Sequence, residues 1–249
     1  ASYSNYASDQ EQFNRYNVNP EIVGTIKYDV KRYPTTTDNI SWDNILNYTA
    51  KWGDHDFSVM VGQTLETSTM KRTWAQGTGY GGYDDEFNAL NFAQFSQSTS
   101  GYTTSWTALG LLGRISYDYK DRYLLQANFR ADASSRFSKK NRWGYFPSVS
   151  AGWKINSESF MQNVDWISLL KLRAGWGQLG NNRIGNNAYA TYVGQQSATY
   201  IYGVGMPTIQ PGMSISSYGN SDILWERTQS TSVGLDFNVL DNRISTSVD

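Results

Sequence analysis

One stretch constrains the fold of this chain more than any other: Leu111 to Ile155, LLGRISYDYKDRYLLQANFRADASSRFSKKNRWGYFPSVSAGWKI. Before Lys120-Asp121-Arg122, the residues Leu111, Ile115, Tyr117 and Tyr119 share one parity, and Arg114, Ser116, Asp118 and Lys120 share the other. After it, Tyr123, Leu125, Ala127, Phe129 and Ala131 alternate with Gln126, Asn128, Arg130 and Asp132. A third run places Trp143, Tyr145, Val149, Ala151, Trp153 and Ile155 against Ser148, Ser150 and Lys154. Alternation of period two means strands with one apolar and one polar face.

A soluble sheet alternates in the same way, so the position of the aromatics decides. Tyr117, Tyr119 and Tyr123 crowd the short turn, while Trp143 and Trp153 bracket the third strand on one face. At ~3.3 Å per residue and a tilt of about 40°, those two Trp stand roughly 25 Å apart along a membrane normal. That is the height of the lipid-facing band of an outer-membrane barrel, whose rims carry Trp and Tyr. Trp42 and Trp52 repeat the spacing. The expected fold is all-β: an antiparallel up-and-down transmembrane β-barrel, favoured over a soluble sandwich.

Composition agrees. The 249 residues hold 9 Trp and 18 Tyr against 10 Phe, a balance suited to an interface where a ring needs an apolar body and a polar edge. No run reaches the roughly 18 apolar residues of a helical span. A barrel, whose inner face is polar, tolerates low hydropathy. A net charge of −1 without a basic block argues against nucleic acid as a partner. With no cysteine, neither a disulfide framework nor a thiolate metal site is available.

Along the chain, residues 1–20 lack a period and read as loop, and a strand is expected around Ile22–Val30. Further strands are expected over Ile40–Trp52 and Phe57–Leu65, over the three runs above, and over Leu170–Trp176, Trp225–Val239 and Ile244–Val248. A helical turn is expected around Ser159–Gln162, capped by Ser157 or Ser159. The connectors run short (53–56), long (67–104), short (120–122), long (133–142), medium (156–168), long (179–224) and short (240–243). Short periplasmic turns alternating with longer outer loops give an up-and-down barrel this rhythm.

Several blocks also resemble the SusC/RagA family of TonB-linked outer-membrane transporters. They are Leu112–Tyr123, Phe129–Phe137, Trp143–Trp153, Leu170–Gly177 with Gly180-Asn181, and Leu224-Trp225-Glu226 leading to Val233–Phe237. The resemblance implies a bacterial outer-membrane location, a Bacteroidota source, and a large barrel with an N-terminal plug. It implies a SusD-like surface lipoprotein as partner, and energy from the TonB complex through a short N-terminal box. It also implies import of a nutrient, an oligosaccharide or a peptide. Plug, box and closing strand are absent from 1–249, which is expected to be part of a single barrel domain, about eight or nine strands of it. The alternatives are a passive porin or adhesin barrel, and a soluble glycan-binding β protein.

Motifs of other chemistries are weak. Gly77-Thr78-Gly79-Tyr80-Gly81-Gly82 satisfies G-x-G-x-x-G, but that motif needs a helix after it, and aromatic loop follows. Asp84, Asp85 and Glu86 offer oxygen ligands to Ca2+ in an outer loop. Their spacing is not that of a calcium loop, so a solvated acidic loop is favoured and no cofactor is expected. His55, the single histidine, sits in a turn with no G-x-S-x-G nucleophile elbow in the chain, and no enzyme is expected. The candidate substrate-binding residues are the loop aromatics Trp74, Tyr80, Tyr83, Phe87, Phe92, Tyr102, Tyr189, Tyr192, Tyr200 and Tyr202. Flat rings on outer loops stack on sugars or grip a peptide. Packing of the loops onto each other or onto a lipoprotein lid is favoured over substrate contact, since Tyr and Trp are enriched at ordinary protein interfaces. On the polar face, Arg114, Arg130, Arg173 and Asp132 are expected to pair with one another across strands.

Overall fold

The computed structural model describes residues 1–17, 26–80, 90, 96–164, 166–202 and 208–249. Thirteen strands lie among them: β1 (Ser2–Ser8), β2 (Glu11–Asn17), β3 (Ile26–Arg32), β4 (Thr35–Trp52), β5 (His55–Tyr80), β6 (Ser96–Tyr119), β7 (Tyr123–Ser134), β8 (Trp143–Lys154), β9 (Ile167–Asn181), β10 (Tyr192–Tyr202), β11 (Thr208–Ser217), β12 (Glu226–Val239) and β13 (Ile244–Val248). In the main sheet the order is β1-β4-β5-β6-β7-β8-β9-β12-β13; β2 and β3 lie off this path, and β10 pairs with β11. The chain divides into two compact units, Ala1–Trp42 with Glu66–Trp106, and Asp43–Leu65 with Thr107–Asp249.

In the first unit, β1 runs antiparallel to the start of β4, from Ser2 opposite Ser41 to Ser8 opposite Thr35. The β2–β3 hairpin pairs through β3 with Ala75–Tyr80 of β5. Residues 1–17 are therefore strand where loop was expected. Tyr3 and Tyr6 are both 65% exposed, so β1 has no apolar face to alternate against a polar one. The long connector expected over 67–104 is also largely strand, since β5 continues to Tyr80 and β6 begins at Ser96. Gly77, Thr78 and Tyr80 pair with β3, so these glycine-motif residues lie in a strand and not in a loop.

The second unit contains the strands that the alternation specified. Each passes to the next by hairpins, in register from Tyr119 opposite Tyr123 through Tyr123 opposite Trp153 to Trp153 opposite Leu172. The tight turns carry the left-handed residues that such turns need: Gly53 (φ 58), then Lys120 and Asp121 (φ 57 and 54), then Leu240, Asp241 and Asn242 (φ 53, 54 and 62). Backbone hydrogen bonds tie these turns to neighbouring connectors along one end of the sheet. They run from Lys120 N–H to Asp54 O (2.8 Å), Lys154 N–H to Arg122 O (2.8 Å) and Leu240 N–H to Trp166 O (3.0 Å). The connector after β8 holds two short 3-10 turns, Ile155–Ser157 and Ser159–Met161. The expected serine cap is absent: Glu158 precedes the second turn and makes no side-chain cap hydrogen bond there.

Few side chains are buried. The buried apolar residues among those described are Val30, Ala131, Ala133, Phe137, Phe146 and Val239. By contrast Leu125, Phe129, Val149 and Val233, all on the apolar parity, are 50–62% exposed. A face this apolar and this open has no protein layer to cover it within its unit, which is how a lipid-facing wall is made.

Candidate functional site

The polar face of the second unit is a trough built from one inward residue in every two. Lys51 and Asp56 on β4 and β5, Asp118 on β6, Gln126 on β7, and Lys171 and Arg173 on β9 line it together. Lys51 Nζ lies 2.7 Å from Asp56 Oδ2. Arg173 Nε lies 3.0 Å from Asp236 Oδ2, and its Nη2 donates to Ser247 Oγ (3.0 Å) and Asp249 Oδ1 (2.9 Å). Arg114 Nε donates to Asn128 Oδ1 at 2.8 Å across the β6–β7 ladder. Arg130 binds Asp132 on its own strand, with Nε 2.8 and 2.7 Å from the two carboxylate oxygens. The four residues thus do not pair with one another across strands as expected: Arg130 and Asp132 meet along β7 itself, because residues two apart on one strand point to the same face. Arg114 and Arg173 take other cross-strand partners: Asn128 lies directly opposite Arg114 on β7, and Arg173, opposite Gly234, reaches the diagonal Asp236 on β12.

At the end of this face opposite the tight turns, aromatic packing closes the wall. The β8–β9 ladder opens at Ser148 opposite Gly177, directly after Pro147, which has no N–H to give. Beyond that point Phe146 turns inward and is buried. Trp225, from the segment after β11, meets Phe146 edge-on at 5.5 Å and stacks on Phe137 at 4.9 Å. Trp225 Nε1 donates to Arg142 O at 3.1 Å. Lys140 Nζ, 2.7 Å from Asp222 Oδ1, holds that carboxyl below the usual carboxylate range and ties the two loops together.

At the tight-turn end, Glu158 gathers three donors: Tyr123 Oη (2.7 Å), Trp153 Nε1 (3.0 Å) and Arg122 Nη1 (3.2 Å). The hydrogen bonds from Tyr123 and Trp153, with the Arg122 charge, keep its carboxyl below the ordinary range against the opposing pull of burial. Beside it runs an aromatic row: His55 packs on Tyr119 (4.8 Å), Tyr119 on Tyr123 (6.3 Å), and Tyr123 on Trp153 (6.5 Å). His55 Nδ1 is 2.8 Å from Tyr117 Oη, so the single histidine belongs to this row.

The candidate loop aromatics are spread over both units. Trp74 on β5 and Tyr102 on β6 belong to the first; Tyr189, in the turn before β10, and Tyr192, the first residue of β10, belong to the second. Tyr102 is 52% and Tyr192 47% exposed, leaving both rings presented to solvent. Tyr80, Tyr200 and Tyr202 lie on β5 and β10 by backbone. Tyr83, Phe87 and Phe92 lie outside the described residues, as do Asp84, Asp85 and Glu86. Among the described residues, no three His, Asp or Glu gather as a metal site, and no helix is long and apolar enough to cross a membrane. Phe137, Phe146, Trp225 and Glu158 escape the alternation argument. The available signal was Phe146 itself, an apolar ring on the polar parity of its strand.

Strands that alternate between an open apolar face and a charged polar one, with tight turns at one end and long loops at the other, define the wall of an outer-membrane barrel. A family model described as "TonB dependent receptor-like, beta-barrel" matches residues 1–249, and the chain belongs to that family of outer-membrane receptors and transporters. It is 36% identical over 214 residues to the TonB-dependent receptor SusC of Bacteroides thetaiotaomicron, covering 85% of this chain and 20% of SusC. It is 33% identical over 215 residues to the TonB-dependent receptor P39 of Formosa agariphila, covering 83% of this chain and 19% of that protein. The fold matches a solved structure of the RagAB peptide transporter with a TM-score of 0.77 at 22% identity, over 98% of this chain and 26% of the other. The chain thus spans about a fifth of the length of its curated relatives. It is a SusC-like, Bacteroidota-type barrel wall of the bacterial outer membrane, so the soluble alternative falls away.

Proposed function

We propose that this chain forms part of the barrel domain of an importer that draws an oligosaccharide or peptide across the outer membrane. In this reading a SusD-like surface lipoprotein captures the nutrient with it, and the TonB complex supplies energy through a region outside residues 1–249. The observation that carries the proposal is the 36% identity to a TonB-dependent receptor on strands whose inward residues are charged and hydrogen-bonding. Such a face suits polar cargo, because it offers donors and acceptors in place of lost water.

In this reading the candidate aromatics Trp74, Tyr80, Tyr83, Phe87, Phe92, Tyr102, Tyr189, Tyr192, Tyr200 and Tyr202 contact cargo or the lipoprotein lid. The exposure of Tyr102 and Tyr192 supports this assignment. The mechanism is gated passage with no bond made or broken, and no cofactor is invoked. The test is uptake of labelled oligosaccharide and peptide pools by cells with and without the protein, each with an intact or deleted TonB gene. Uptake that needs both genes supports the proposal. Uptake that needs this protein and survives loss of TonB would identify a passive pore instead.

A further inference from the structure

In the connector between β8 and β9, the described residues 155–164 and 166 lie outside the strands, yet both ends are fastened to the apolar face of the wall. Near its start, the Glu158 carboxylate accepts from Tyr123 Oη and Trp153 Nε1, two residues of the apolar parity. At its finish, Trp166 meets Phe237 edge-on with ring centroids 6.3 Å apart, and Phe237 belongs to the apolar parity of β12. The connector therefore folds over the lipid side of the sheet and not across the polar trough. Polar Ser159, Gln162 and Asn163 of the connector are exposed, as in any loop, but two aromatics are exposed with them while a carboxylate is buried. Glu158 is buried, 9% exposed, while Phe160 is 65% and Trp166 56% exposed. Leu240, whose N–H donates to Trp166 O, adds another open apolar side chain beside them at 52%.

A loop in water hides its aromatics and shows its charge, whereas a segment at a bilayer surface does the opposite. Its place fits the second case, because it adjoins the aromatic row His55–Tyr119–Tyr123–Trp153 at the tight-turn end, which faces the inner leaflet. Trp166 touches the apolar face through Phe237, and Trp and Phe are favoured at the boundary between headgroups and acyl chains.

We infer that residues 155–164, with Trp166, form a membrane-seated foot, with Phe160 and Trp166 inserted into the inner leaflet of the outer membrane and Glu158 as the clamp that holds the foot against the wall. Its partner is a phospholipid surface, so the barrel's inner rim is built partly from non-strand chain. The inference rests on the barrel fold and is independent of what the importer carries.

The chain has no cysteine, so one introduced at Phe160 labels a unique position in it. In the full-length protein, any cysteines outside this chain replaced, Phe160→Cys carrying a bimane fluorophore is reconstituted in phosphatidylethanolamine–phosphatidylglycerol bilayers. Quenching by brominated phospholipid is compared with quenching by aqueous iodide. Leu235→Cys on the apolar face and Asp241→Cys in the β12–β13 turn set the two limits. Retention of the heat-modifiable folded band on gels confirms that each variant is folded. Where Phe160→Cys does not fold, Trp166→Cys takes its place. The foot predicts strong quenching by brominated lipid and weak quenching by iodide, close to the Leu235→Cys limit. Iodide quenching near the Asp241→Cys limit would overturn the inference by placing the connector in water. Protection from both quenchers would also overturn it, by placing the connector against protein.

Discussion

Phe146 occupies the space in front of Gly180: a Cβ built on that glycine would lie 2.0 Å from Phe146 Cζ. The same ring also crowds Gly144, where a Cβ would lie 2.5 Å from Cζ. The two glycines therefore form the seat for an inward phenyl ring at the point where the β8–β9 ladder has ended. Gly180→Ala forces that ring out of place and is expected to destabilise the barrel by about 1–3 kcal/mol, the usual range for overpacking. Combined with Phe146→Leu, the same substitution is expected to cost less than the sum of the single changes. A double-mutant cycle on urea unfolding in detergent micelles measures the coupling, and strict additivity would contradict the seat.

Trp225 closes the same cluster from above, between Phe137 and Phe146. Trp225→Ala removes both ring contacts and the hydrogen bond to Arg142 O. The ring is half-buried, so a cost of about 2 kcal/mol is expected, somewhat less than for a fully buried aromatic. The loss is local, and added protease on intact cells should nick residues 182–225 faster while the barrel itself stays folded.

Glu158 makes a pH-dependent contribution with a defined sign. Its folded pKa is below the ordinary value of 4.5, held there mainly by Tyr123 and Trp153. It therefore contributes stability that is fully present above that value and lost as pH falls through the lower folded one. Thermal unfolding of the detergent-solubilised protein should show a drop in Tm below about pH 4.5 that Glu158→Gln largely removes. Identical pH profiles for the two proteins would show that the clamp is not held by charge.

Two exposed strand aromatics, Tyr102 on β6 and Tyr192 on β10, separate binding from folding. Tyr102→Ala and Tyr192→Ala remove rings that are about half exposed. Each should change barrel stability by no more than about 0.5 kcal/mol, as for ordinary surface sites. Uptake of limiting nutrient should nonetheless fall, read as a raised half-saturating concentration with the maximal rate preserved. An unchanged half-saturation for both variants would remove these two rings from the cargo surface.

The sequence was most legible where one face meets lipid. From Leu111 to Ile155 the alternation fixed strand, face and turn together, because a one-residue slip would present Arg114 or Asp132 to the bilayer. Where the alternation ends that constraint disappears. Ser2–Ser8 and Glu66–Tyr80 are strands held by neighbouring backbone, with no apolar face to betray them. Phe146 and Trp225 were hidden for a different reason: they pair across about 80 residues of chain, through a contact no local period encodes. Glu158 is similar, since its donors Tyr123 and Trp153 were each readable as rim aromatics while their shared acceptor was not.

The central claim is that these strands separate lipid from a polar interior, and scanning β7 tests it directly. Single cysteines at each position from Tyr123 to Ser134 are spin-labelled in lipid nanodiscs, and their collision rates with oxygen and with a water-soluble nickel complex are compared. The account predicts alternation of period two, with Leu125, Ala127 and Phe129 favouring oxygen and Gln126, Asn128 and Arg130 favouring nickel. Uniform access to nickel at both sets would contradict it, because β7 would then have water on both faces.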